Sequence, residues 1–157
     1  MIKTIDLIDT ENDLSISEFL SLFDYGDDYI EIREIGDTGA ESKFFAPEDI
    51  KDYKPNLDVN VYFGVYGRKN TDSGKDYNTT TTSMIWVDYD NFQQGSTLAE
   101  KLLEVEIALD FEDIPIPTLI VSSGNGLHLY WRLTEPTPKN VSNINRALAE
   151  AIGGDLR

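Results

Sequence analysis

Two aspartates with one residue between them, a glycine-rich turn leading into the single histidine, and an aspartate behind a glycine pair are the residues whose types and spacing could do chemistry. Asp88 and Asp90 lie in MIWVDYDNF, at the end of an apolar run that reads as a β-strand. Strand side chains alternate, so residues two apart face the same side, roughly 6–7 Å apart. Two carboxylates so placed repel each other unless a cation sits between them. The pair therefore suits one divalent metal, or two acting together. A solvated strand end would carry the same acids, and a D-x-D alone does not decide between these readings.

Ser123-Gly124-Asn125-Gly126 separates two strand patterns, and Asn-Gly is a strong hairpin-turn signal. Glycine lets backbone N–H groups approach an anion, and the Ser123 hydroxyl adds a donor. Whether the turn also binds something is open at this level. Beyond it, His128, Tyr130 and Arg132 share one strand face, opposite Leu127, Leu129, Trp131 and Leu133. A histidine and an arginine on one face suit a phosphate clamp, although a lone histidine is more often a packed or surface residue. Asp155 follows Gly153-Gly154. By itself it is a loop acid. It becomes the third ligand of a metal site if the chain there runs beside the Asp88 strand.

Periodicity supplies the elements that must hold these residues. Ser15 to Glu18 fits a capping box, and Ile16, Phe19, Leu20 and Phe23 follow at helical spacing. Tyr29 to Ile35 alternates as a strand, and Pro47 to Ile50 opens a short helical turn. Val59, Val61, Phe63 and Val65 predict a strand with one apolar face. Gly67 to Thr82 reads as a long polar loop, uncommon in compact domains unless functional or mobile. Met84 to Asp90 is a strand. Thr97 and Glu100 form a second capping box, with Leu98, Leu102, Val105 and Leu109 along one helix face. Strands follow at Thr118 to Ser122 and Leu127 to Leu133. A last helix, started by Thr137 and Pro138, carries Val141, Ile144, Leu148 and Ile152 and stops at Gly153-Gly154.

From Met84 the order is strand, helix, strand, strand, helix: most of a split β-α-β unit of the ferredoxin-like or RNA-recognition-motif plan. Helices then cover one sheet face and leave the other for a site. The expected class is α+β, an RRM-like catalytic sheet with an N-terminal α/β extension. The chain reads as one domain, 1–157, with residues 1–56 as the extension and 57–157 as the motif-bearing core.

Composition narrows the function. Hydrophobic residues at 40% and aromatics at 11% indicate a globular chain. The lack of cysteine excludes disulfides and thiolate metal sites. No apolar run approaches the ~20 residues of a membrane span. The start, MIKTIDLIDTEND, is too acidic for a secretory signal. A soluble, cytoplasmic protein is expected. The net charge of −16 opposes a phosphate backbone at long range. Either the acids are solvated surface around a locally basic groove, or the partner is not nucleic acid. Distribution leans toward the first, because Arg68, Lys69, Lys75, Arg132, Lys139, Arg146 and Arg157 all fall beyond the acidic opening.

Together these pieces resemble the archaeo-eukaryotic primase superfamily, and within it the bacterial, phage and plasmid primase–polymerase branch described as RepB-like primases. The family's D-x-D or D-x-E motif is matched by Asp88 and Asp90. Its SGxGxH element is matched by Ser123 to His128, and its small-residue–Asp motif by Gly154-Asp155. VYFGVYGRK also looks like the stretch before the first motif, which makes Arg68 a nucleotide or template contact. The match covers roughly residues 59–155.

The resemblance implies a metal-dependent DNA primase/polymerase using Mg²⁺ or Mn²⁺, held by Asp88, Asp90 and Asp155. Ser123, Gly124, Asn125, Gly126 and His128 would contact the triphosphate, with Arg68 and Arg132 as weaker candidates. Partners would be nucleoside triphosphates, a single-stranded DNA template with its primer, and a helicase or further C-terminal domains. Relatives continue past the third motif with a basic R-L-P-G-T-x-N-like stretch, whereas this sequence ends at Arg157. A truncated or reduced domain is therefore expected, binding metal and nucleotide with weak or no polymerisation. Two alternatives stand. One is a carboxylate-metal nuclease; the tyrosine-type initiator, which needs two histidines, cannot be built around His128 alone. The other is a non-catalytic nucleotide-binding or interaction domain on the same fold.

Overall fold

A reciprocal capping box starts the first helix, α1 (Ile16–Ser21), as the Ser15-x-x-Glu18 pattern requires: Ser15 Oγ accepts the Glu18 amide and Glu18 Oε2 accepts the Ser15 amide. The computed structural model describes residues 14–56, 58–123 and 126–155. The further elements are β1 (Ile30–Gly36), β2 (Gly39–Phe45), β3 (Asn60–Phe63), β4 (Thr82–Tyr89), α2 (Leu98–Phe111), β5 (Leu119–Ser122), β6 (Leu127–Thr137) and α3 (Ser142–Ile152). The class is α+β. Two compact units emerge. One takes the chain up to Ser83 together with Thr134–Lys139, and the other runs Met84–Leu133 and then from Asn140 onward. Among the described residues no helix is long and apolar enough to cross a membrane.

In the first unit β1 is the central strand, antiparallel to both β2 and β3. Phe23 packs against Phe63 with ring centroids 4.9 Å apart, and Phe19 against both, each pair tilted or edge-on as aromatic quadrupoles prefer. The β2 strand carries no alternation in its sequence, because as an edge strand it is exposed over its first half and buries neither face fully. β3 is shorter than the alternating run from Val59 to Val65 suggested, and Val61 and Tyr62 stay exposed.

Two carboxylates of β1 are buried, and this dictates the packing around them. Glu31 Oε2 accepts Arg68 Nε and Nη2 at 2.9 and 2.6 Å, while Oε1 accepts Ser42 Oγ and Arg33 Nη2 at 2.8 Å each. Arg68 and Tyr29 also exchange backbone bonds of 2.9 Å. The 67–82 segment is thus an ordered connection. Asn78, 1% exposed, gives its Nδ2 to the Asn70 and Ser73 carbonyls and ties the segment together from inside.

In the second unit the strand order is β4-β6-β5, with β5 and β6 antiparallel from Leu119↔Tyr130 to Ser122↔Leu127. Alternation now decides the layers. Val87 and Tyr89 of β4 and Leu127, Leu129 and Trp131 of β6 point into one core with Val105 and Leu109 of α2 and Ala149 and Ile152 of α3. Both helices therefore cover the same sheet face, as an RRM-like sheet requires. The last helix begins at Ser142, later than Thr137-Pro138 suggested. β6 runs on to Thr137, and the Asn140 side chain accepts the Ser142 amide at 2.8 Å. Gly153, at φ 78°, ends the helix in the left-handed conformation that favours glycine.

Burial alone would raise the Glu31 carboxyl, but the hydrogen bonds from Arg68, Ser42 and Arg33 outweigh it and hold the group below the ordinary carboxylate range. A lowered folded-state pKa contributes stability that is present above the unfolded value and lost as pH falls through the folded one. Glu31→Gln is expected to cost about 3 kcal/mol at pH 7, the scale for breaking a buried ion pair from one side. Urea unfolding checks this, and the gap to the native sequence should shrink below pH ~4.

Candidate functional site

The end of β4 is where the three motifs meet, one from β6 on its paired side and one from the chain leaving α3 on its outer side. β4 is an edge strand, so its outward backbone groups need partners. Asn145 Oδ1, from α3, accepts the Trp86 amide at 3.1 Å. One pleat further on, the Asp155 amide donates to the Asp88 carbonyl at 2.7 Å. The chain leaving α3 thus lies against the strand that carries Asp88 and leads into Asp90, the placement on which the expectation for Asp155 is conditional.

Glycine makes this contact possible. A Cβ on Gly154 would stand 2.5 Å from Val87 Cγ1 and 3.1 Å from the Asp88 oxygen. A Cβ on Gly126 would stand 2.7 Å from the Tyr89 oxygen and 2.9 Å from Asp90 Cβ. Both glycines therefore let backbone approach the end of β4 more closely than any other residue could. In the hairpin, Ser123 N donates to the Gly126 oxygen at 3.0 Å and Ser123 Oγ accepts the Gly126 amide at 3.1 Å. Ser123 closes the turn first of all. Gly124 and Asn125, expected at the phosphates, lie outside the described residues.

The side chains on the sheet face opposite the core come from alternate positions. Asp88 and His128 are both partly exposed, with His128 Nε2 3.5 Å from Asp88 Oδ1. Asp90 follows just beyond the strand and is exposed, and Asp155 is half-buried. Arg132 stands further along β6 on the same face, exposed, its amide bonded to Thr118 Oγ1. Tyr130, between His128 and Arg132, is 4% exposed. Burial pushes its hydroxyl up, and the charge of Asp88 adds to the shift. Tyr130 belongs to the surroundings of Asp88, a role for which alternation with His128 is the sequence signal. Arg68 lies buried in the first unit, its Nε and Nη2 bonded to Glu31 and its Nη1 buried without a hydrogen-bond partner.

Asp88, Asp90 and Asp155 supply hard oxygen donors of the kind Mg²⁺ or Mn²⁺ prefers. Among the described residues, however, no three acidic or histidine side chains converge closely enough to hold an ion. The backbone brings the acids to one strand end without drawing the carboxylates around a common point.

No family model and no curated protein matches the chain. Among solved structures it is similar to the AEP domain of the cyanophage S-2L primase-polymerase (PrimPol), with a TM-score of 0.63 and 19% identity, over 87% of this chain and 71% of that one. The likeness shows the fold: the chain has the α+β architecture of an archaeo-eukaryotic primase domain.

Gly154→Ala is expected to destabilise the protein by about 1–3 kcal/mol through overpacking against Val87. It should also speed hydrogen exchange at the Asp155 amide, read by NMR. Gly126→Ala should act likewise on the Asp90 side, because the atom it meets is backbone that cannot turn away.

Proposed function

We propose that this chain is a metal-dependent nucleotidyltransferase domain of the primase–polymerase kind, which binds nucleoside triphosphates and adds nucleotides to a 3′-hydroxyl on a DNA template. The observation that carries it is the meeting of three motifs, distant in sequence, at the end of β4, with Asp155 bonded to the Asp88 backbone and His128 beside the Asp88 carboxylate. The primase-domain fold supports the same reading.

In this proposal Asp88, Asp90 and Asp155 hold Mg²⁺ or Mn²⁺, reached by side-chain rotation from a backbone already in place. When bound, the cation would offset the negative charge of the triphosphate and of the attacking and leaving oxygens. His128 and the Ser123–Gly126 turn receive the phosphates, with the imidazole donating to an oxygen. Arg132 lies on the same face for a strand or nucleotide contact. The net charge of −16 repels polyanions, so nucleotide binding depends on the divalent cation. The separation of the carboxylates favours one other reading, a nucleotide-binding domain of this fold that does not polymerise.

A labelled primer on a template, incubated with triphosphates and Mn²⁺, distinguishes these. Weak extension is expected, lost by more than about 100-fold in Asp88→Ala and in Asp155→Ala, beyond the scale of an outer-shell change at a metal site. Calorimetric binding of a triphosphate without extension would support the non-polymerising domain. Cutting of the strand without nucleotides would point to a nuclease. Triphosphate affinity should vanish in a chelator.

A further inference from the structure

We propose that the outer face of α2 is a docking surface for a basic amphipathic helix of a partner protein. The inner face of this helix is spent on the core, where Val105 and Leu109 are buried. The opposite side is apolar as well. Leu103, Ile107 and Phe111 are 56%, 60% and 85% exposed. At four-residue spacing they form one continuous ridge. A phenylalanine at a helix end with most of its surface in water gains nothing for the fold, and contiguous exposed apolar surface of this kind marks an interaction site.

Charge selects the occupant. At 100° per residue, Glu100 and Glu104 border the ridge on one side and Glu106 and Asp110 on the other. The only cation of the helix, Lys101, is 8% exposed, with its Nζ 5.3 Å from the Phe92 ring. An apolar ridge between two acidic rims fits a helix with leucine or phenylalanine anchors and lysine or arginine flanks, the helix-in-groove mode of recognition. A second copy of this face would set acid against acid, and nucleic acid or an anionic membrane would be repelled. A 14-residue helix spans about 21 Å, so the contact stays below the ~800 Å² per partner of a standard interface. The complex should accordingly be transient, with a dissociation constant on the order of micromolar.

A fluorescein-labelled synthetic helix of leucine and lysine, with leucine at helical spacing, is the probe, read by anisotropy against the whole chain. Binding is expected to weaken at least tenfold for Ile107→Gln/Phe111→Gln and for Glu106→Lys/Asp110→Lys. It should be absent for a peptide with glutamate in place of lysine. Glu104 is left intact because its carboxylate accepts the Tyr89 hydroxyl. Circular-dichroism melting confirms that the variants fold, and amide shifts induced by the peptide should map to α2. Equal binding of a scrambled leucine–lysine peptide, unchanged affinity in the folded variants, or self-association through this face in sedimentation would overturn the proposal.

Discussion

The hydrogen bond from the Asp155 amide to the Asp88 carbonyl ties the chain leaving α3 to β4, and it exists only because Gly154 has no side chain. On the other side of the same strand end Gly126 meets the Tyr89 carbonyl under the same restriction. Two bare backbones flanking the end of one strand bring acids 65 residues apart in sequence, Asp90 and Asp155, onto neighbouring segments. A methyl group on Gly154 would push the Asp155 segment off the strand, and one on Gly126 would push the turn off Tyr89 and Asp90. The edge of β4 would otherwise present unpaired backbone groups, so satisfying that edge and placing Asp155 beside Asp88 are one structural event.

Strand alternation then sorts chemistry from packing. Odd positions of β4 and β6 fill the core under α2 and α3, and even positions carry Asp88, His128, Tyr130 and Arg132 on the other face. A one-residue slip in register would bury the acids and expose the core. In the first unit the corresponding constraint is Glu31, whose buried charge is tolerated because Arg68, Arg33 and Ser42 all donate to it.

Much of this was legible in the residues. The two capping boxes name the starts of α1 and α2, and the runs Met84–Asp90 and Leu127–Leu133 declare their faces by alternation. D-x-D, S-G-x-G-x-H and G-D pointed to the residues that the backbone brings to the end of β4, because each residue type is tied to its spacing. What stayed hidden depends on tertiary partners. β2 has no buried face to imprint a pattern, the order in 67–82 comes from Arg68 reaching Glu31 and Asn78 tying the segment from inside, and Pro138 imitates a helix start that lies at Ser142 instead. Gly153 and Gly154 look alike in sequence, yet one ends a helix and the other permits a close approach. The separation of the three carboxylates was not legible either, because it is set by side-chain rotation.

Whether the site takes a metal is read most directly by titrating Mn²⁺ into isotopically labelled protein with a triphosphate present and following paramagnetic broadening of the amides. Amides at 88–90, 126–128 and 154–155 should broaden first and together, and Asp88→Asn/Asp155→Asn should abolish the effect. Broadening centred on the other acidic surfaces of the chain, or unaffected by that double substitution, would contradict a metal-dependent site at the end of β4.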